Sequence, residues 1–269
     1  MSSVYLNSKD IWLTIDIEEV KDSNFNLVRK GDIKISYDIL IQSWVELCDH
    51  LEVKSTCFVL GSFALEYPSL VKLLVENGHE IASHGMNHKL VNKVGLSDWE
   101  ESIITSKKTL EDISGVEVTG YRAASWSMPF QKQYYETLAK NGYQFSSSYF
   151  PMKTYMYGNT VDKIQPFLVK TKNGNICEYP ILKSIIPFSG GFYLRVIPEF
   201  ILKLLFNSRI RKGFKPILYV HPYELMNENL LIFFRSGNKI NIDYFLAFFA
   251  TSMPIEKIKS IVLNSKGLK

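Results

Sequence analysis

Three observations predict an α/β chain built as a barrel of βα units. Strand-like and helix-like patterns alternate along it with short connections. Two successive helix–strand units end alike, at Asn77-Gly78 and at Asn141-Gly142. The chemistry-bearing residues Asp16, Glu18, His84, His88, Arg122 and His221 all fall at or just beyond the ends of strand-like runs. Such folds collect their chemistry where loops leave the carboxyl ends of the strands. One domain over residues 1–269, with an elaborated second half, fits this pattern best.

In chain order, Ile11-Trp12-Leu13 running into Thr14-Ile15-Asp16-Ile17-Glu18 reads as a strand that ends in acids. Residues two apart on a strand share a side, so Asp16 and Glu18 can face one pocket. Tyr37, Leu40, Ile41, Trp44, Leu47, Cys48 and Leu51 make one apolar helical face. Thr56 to Leu60 is a buried-strand run, and a helix over 69–77, closed by Gly78, feeds the strand Glu80-Ile81-Ala82-Ser83. Ser97-Asp98-Trp99-Glu100 has the form of a capping box opening a helix that closes before Gly115. A strand is expected over Val116 to Tyr121, then a helix with Ser127 as N-cap and Pro129 in its first turn. The stretch around 152–191 is irregular and aromatic and predicts a loop-rich insertion or a small sheet. Pro198 to Lys215 reads as an outer helix with a solvated basic end, the alternative being contact with a membrane surface or a lipid-diphosphate carrier. Ile217-Leu218-Tyr219-Val220 is the last strand and ends at His221-Pro222.

Bulk composition narrows the function classes. With 269 residues, 46% hydrophobic and 22% charged, the chain has ample material for a globular core. A net charge of +4 without an arginine-rich stripe argues against nucleic acid as a partner. Cys48, Cys57 and Cys177 lack metal-ligand spacing, and the first two lie in buried patterns that predict reduced thiols. The first ten residues have no signal-peptide core and no apolar run approaches spanning length, so a cytoplasmic location is expected.

His84-Gly85-Met86-Asn87-His88 carries the most chemistry, and it gains force beside Asp16-Ile17-Glu18. Two imidazoles and one carboxylate suffice to hold a divalent metal while leaving positions open. HxxxH alone is a weak signal. The position after His84 is Gly85, which rules out a helix-borne HExxH site. The two-His-one-carboxylate oxygenase site belongs on an all-β jelly roll, against the alternation seen here. The combination indicates a metal-dependent hydrolase.

These residues in this order resemble the polysaccharide deacetylase family, carbohydrate esterase family 4, over roughly residues 10 to 225. The resemblance is carried by Gly78-His79-Glu80-Ile81-Ala82-Ser83-His84 and Gly120-Tyr121-Arg122-Ala123, with Ser55 to Gly61 and Tyr219-Val220-His221-Pro222-Tyr223-Glu224 in support. It is closest to the branch found with exopolysaccharide and O-antigen synthesis. The resemblance implies a distorted (β/α)7 barrel and metal-assisted removal of an N- or O-acetyl group. It also implies Asp16 as general base, His221 as general acid, Arg122 as the arginine that orients the base, and Glu18, His84 and His88 as metal ligands. Three departures stand out. Ile17 separates two acids that are usually adjacent, and Glu19 is a further candidate ligand. Ala124 replaces a usual proline. Ser146 stands where an Asp would pair with the arginine.

The expected substrate is an acetylated amino sugar or glycan intermediate of surface-polysaccharide assembly, in free, nucleotide-linked or lipid-linked form. One divalent ion is expected, Zn first, with Co, Ni, Mn and Fe compatible with the ligands. Two rivals keep the fold: hydrolysis of a small non-sugar amide, and a catalytically silent glycan-binding protein. Trp126, Tyr149 and Phe150 are candidate cleft walls or plain packing residues, while His50 and His79 read as structural.

Overall fold

In a computed structural model, residues 2–7, 10–22, 35–152, 158, 164–181, 188–225 and 254–266 are described. The strands are β1 (Trp12–Ile17), β2 (Thr56–Val59), β3 (Glu80–Ser83), β4 (Gly120–Tyr121), β5 (Phe145–Ser146), β6 (Phe167–Thr171), β7 (Gly174–Glu178) and β8 (Ile217–Val220). The helices are α1 (Ser3–Asn7), α2 (Tyr37–His50), α3 (Gly61–Glu66), α4 (Pro68–Glu76), α5 (Leu96–Ser114), α6 (Lys132–Lys140), α7 (Gly191–Val196), α8 (Glu199–Arg211) and α9 (Pro254–Ser265). Two compact units divide the chain: residues 1–7 with 55–183, and residues 8–54 with 184–269.

The first unit holds strands in the order β6-β7-β5-β4-β3-β2, parallel except for the β6–β7 hairpin. β2 is buried along its whole length, as an apolar run within a parallel sheet requires. α4 starts on Pro68, whose missing N–H costs nothing there, and stops at Asn77 before the left-handed Gly78. α5 begins two residues earlier than the capping box predicts. Its N-cap is Gly95, and Ser97 sits in the first turn without a side-chain cap bond. The extended Gly95 takes the N-cap place, its carbonyl accepts the first intrahelical bond from Trp99 N, and no side chain caps the helix.

Two further expectations shift for similar local reasons. β4 is only Gly120–Tyr121, because side chains of α5 capture the backbone before it: Val118 N donates to Glu111 and Val118 O accepts from Lys107. α6 starts after Gln131 rather than Ser127, because the Ser127 hydroxyl donates to Ala124 O and accepts from Val91 N. Within 152–191, the β6–β7 hairpin forms a small sheet piece; 153–157, 159–163 and 182–187 lie outside the described residues.

In the second unit β1 pairs in parallel with β8, Trp12 opposite Ile217 and Ile15 opposite Val220, and Gly190 bridges to Tyr219. A Cβ at Gly190 would sit 1.9 Å from the Tyr219 ring, so only glycine allows this approach. α8 buries Leu202, Phe206 and Ile210 and exposes Phe200 and Leu204, with Arg209 and Arg211 in its last turn. That is the expected outer helix with a basic end. Among the described residues, no helix is long and apolar enough to cross a membrane.

Candidate active site

In the first unit the sheet delivers His84 directly. His84 N donates to Val59 O at 2.9 Å, which continues the β2–β3 ladder one residue past β3. The loop that follows turns on Gly85 (φ +85°) and is tied down by backbone bonds to α3 and by serine hydroxyls. Gly61 N donates to Gly85 O, Ser62 N to Met86 O, Gly85 N to Ser83 Oγ and Met86 N to Ser102 Oγ. His84 and His88 are both buried, with ring centroids 5.1 Å apart. His88 takes φ +37°, a left-handed backbone that a residue with a Cβ adopts only at a cost of order 1–3 kcal/mol. Ser125 and Trp126 show the same strain on the arginine loop, and Ser127 joins that loop to the histidine loop through Val91 N.

Arg122 is fully buried at the end of β4. Its backbone N donates to Ser83 O at 2.9 Å and its Nη2 to Ser147 Oγ at 3.0 Å. The guanidinium carbon lies 3.9 Å from the Phe58 ring centroid and 5.4 Å from that of Trp126, a cation held over two aromatic rings. Its carbonyl has a second use: His84 Nδ1 lies 2.8 Å from Arg122 O. A carbonyl only accepts, so Nδ1 carries the proton and Nε2 keeps the lone pair that a metal requires. The donor set therefore fits a borderline-soft divalent ion.

The second unit gathers the other predicted residues. Asp16 and Glu18, at the carboxyl end of β1, are both about 1% exposed. The turn after them is fixed by Val20 N donating to Tyr37 Oη at 3.0 Å and by Glu19 N donating to Asp22 at 3.1 Å. Glu19, the further candidate ligand, forms an ion pair with Lys21. Tyr223 Oη donates to Glu18 Oε1 at 3.2 Å, and its ring stacks on His221 with centroids 5.1 Å apart and planes 12° apart. His221 Nε2 is 3.8 Å from Glu18 Oε1, while Nδ1 is 3.0 Å from Glu224 Oε2. Burial opposes the imidazolium, yet the carboxylates of Glu224, Glu18 and Asp16 outweigh it and push the His221 pKa up to about 9. A protonated imidazole at neutral pH is a proton donor in waiting.

Two acids were missed by sequence reasoning. Glu224 fixes the His221 ring from three residues on, and the signal was an acid in the turn after His-Pro. Glu178, fully buried at the end of β7, left no local signal. Ser146, whose hydroxyl donates to Ser148 Oγ, does not take the arginine-pairing place; Ser147 provides the hydroxyl instead. His79 is structural, its Nδ1 accepting from Ser55 N at 3.1 Å. Trp126 lies beside Arg122, while Tyr149 packs edge-on against Phe130 and Phe167.

Comparison with known proteins now identifies the class. The sequence model of the family described as "Polysaccharide deacetylase" matches residues 6–146, just over half of the 269. The chain therefore belongs to the polysaccharide deacetylase family. A second match, to a "Domain of unknown function (DUF3473)", covers 147–243. Among curated relatives, the peptidoglycan-N-acetylglucosamine deacetylase of Listeria monocytogenes is 36% identical over 63 residues, covering 23% of this chain and 14% of that protein. The chitooligosaccharide deacetylase of Sinorhizobium fredii is 33% identical over 64 residues, 24% of this chain and 29% of that one. The chain thus spans less than a third of the length of either relative. A solved polysaccharide deacetylase from Mycobacterium smegmatis aligns with TM-score 0.57 at 18% identity, covering 80% of this chain and 78% of that one. A carbohydrate-esterase-family-4 pseudoenzyme from Bacillus anthracis aligns with TM-score 0.50 at 14% identity, covering 97% and 61%. These structures share the fold, and the α/β class of the deacetylase (β/α)7 type expected from the sequence is the one found.

Proposed function

We propose that this chain is a metal-dependent hydrolase that removes an acetyl group, N-linked in the first instance, from an amino sugar or glycan intermediate. In this reading Glu18 joins His84 and His88 in holding one divalent ion, Zn first. The observation that carries it is the His84 tautomer: Arg122 O occupies Nδ1, so the buried Nε2 is the nitrogen with a lone pair to give. Bound there, the ion would supply Lewis acidity toward the acetyl oxygen and toward water. Asp16 accepts a proton as water adds to the carbonyl carbon. His221 then gives its proton to the sugar nitrogen as the C–N bond breaks and acetate leaves. Arg122 aims the Asp16 carboxylate, and Glu224 holds the His221 ring in place.

The four motifs at Ser55 to Gly61, Gly78 to His84, Gly120 to Ala123 and Tyr219 to Glu224, taken together, support a substrate from exopolysaccharide or O-antigen assembly, which this reading places in the cytoplasm. The decisive experiment pairs metal analysis with acetate release. About one ion per chain, lost in a His84→Ala, His88→Ala double variant together with hydrolysis of acetylated chitooligosaccharides, upholds the reading. A chain that takes up no Zn, Co or Ni and releases no acetate overturns it. Ser146 favours one rival, a silent glycan-binding protein, and measurable acetate release excludes that rival.

A further inference from the structure

Glu178 ends β7 with its carboxylate fully buried, directly opposite Ser146 of β5 in the register. A buried carboxylate is costly unless several donors meet it. Here Oε1 accepts from Ser148 N at 2.7 Å and Tyr149 N at 2.9 Å, and Oε2 accepts from Tyr135 Oη at 3.1 Å. Burial raises its pKa, while hydrogen bonds from Ser146, Ser148, Tyr149 and Tyr135 act the other way.

The segment that Glu178 grips is the segment that holds the arginine loop. Ser147 Oγ accepts from Arg122 Nη2 at 3.0 Å and donates to Tyr179 O at 3.2 Å. Ser148 Oγ accepts from Ala123 N and from Ser146 Oγ, at 3.0 and 2.9 Å. One residue fixes both Ser148 and Tyr149 by their amides, and the two serine hydroxyls pass that placement to Arg122 and Ala123. Arg122 in turn sets His84 through its carbonyl.

We propose that Glu178 is the positioning residue for Arg122, its carboxylate standing on the neighbouring strand in place of an acid at Ser146. This rests on the reading of Arg122 as the group that aims the catalytic base. It acts through the serine segment and does not touch substrate.

Glu178→Gln tests it, because glutamine keeps an acceptor for the two amides but sets an NH2 group against Tyr135 and Ser146. Ser146→Asp supplies a carboxylate from directly across the ladder. Alone, it places two buried acids side by side and lowers Tm; with Glu178→Gln, it restores a single one. Acetate release from N-acetylchitopentaose is measured for the metal-loaded chain and all three variants, with Tm beside it. The expected result for Glu178→Gln is a kcat loss of about tenfold or more with KM within about twofold, largely recovered in the double variant. Wild-type kcat in Glu178→Gln, or a folded double variant with no recovery, overturns the proposal. If Glu178→Gln does not fold, Tyr135→Phe and Ser148→Ala take its place, with a kcat loss upholding the proposal and unchanged kcat overturning it.

A wild-type chain that loads metal yet releases no acetate removes the deacetylase reading alone. Nitrogen-15 arginine spectra then decide about Glu178, with Arg122 Nε–H assigned through Arg122→Lys. Faster exchange in Glu178→Gln, slowed again in the double variant, upholds the positioning role. Equal exchange in all three overturns it.

Discussion

Gly120→Ala is the perturbation whose consequence follows most directly from the packing. Gly120 lies opposite Phe145 in the β4–β5 register, and a Cβ there would fall 2.1, 2.6 and 2.7 Å from three atoms of the Phe145 ring. The ring is fully buried and meets Phe58 at 6.5 Å and Tyr179 at 5.9 Å between centroids. It has nowhere to go without moving Phe58, which lies beneath the Arg122 guanidinium. Overpacking costs typically 1–3 kcal/mol, and three overlaps with one rigid ring put this case near about 3 kcal/mol. For a chain of this size, that corresponds to a Tm lowered by about 6–12 °C. The assay is thermal unfolding followed by circular dichroism, run as a double-mutant cycle with Phe145→Leu. Leucine alone opens space and destabilises. In the Gly120→Ala background it makes room for the new methyl, so the two effects are strongly non-additive. Additive effects, or a Gly120→Ala Tm within about 2 °C of wild type, would refute the packing argument.

Other expectations are as direct. His221 has its pKa raised to about 9, so the stability it draws from its carboxylate partners is fully present below its unfolded value near 6.5 and is lost as pH rises through about 9. In metal-free protein, the Tm difference between wild type and Glu224→Gln should therefore be larger at pH 6 than at pH 10; a pH-independent difference contradicts this origin. A Zn concentration about a thousandfold above its Kd should stabilise the chain by about 4 kcal/mol, seen as a Tm rise that the His84→Ala, His88→Ala variant lacks. Arg122→Lys keeps a charge but loses the planar group over Phe58 and the Nη2 bond to Ser147, so Tm and turnover should both fall. Wild-type values for that variant would remove the case for an aimed guanidinium. Gly190→Ala should destabilise through its overlap with Tyr219, with Tyr219→Phe giving no relief because ring carbons, not only the hydroxyl, are in the way.

Local periodicity explains why much of this was legible early. Asp16 and Glu18 sit two apart beyond an apolar run, and the pleat alone makes them neighbours on one side. His84 is carried on the last rung of the β2–β3 ladder, next in line after an apolar strand, and Gly78 stops α4 because a left-handed residue is needed at that turn. The shifted helix starts at Leu96 and Lys132 have the opposite cause. The Ser97 and Ser127 patterns were sound as cap signals, but α5 extends back to Gly95 and leaves Ser97 inside its first turn, and Ser127 was claimed by Val91 and Ala124. A cap residue has one hydroxyl, and tertiary partners compete for it.

By itself, then, the sequence determined the alternation of β1, β2, β3 and β8 with α2, α4, α5 and α8, the acids at the end of β1, the paired histidines after β3 and the histidine after β8. Each of these depends on residues within a few positions of one another. Only the tertiary structure decided that Arg122 O sets the His84 tautomer, that Ser147 rather than Ser146 meets the guanidinium, and that Glu178 holds the serine segment. These contacts join residues 25 to 38 positions apart, and no local pattern records them. They depend on which strands lie side by side and in what register, and that is fixed only when the sheet closes its hydrogen bonds and buries its faces.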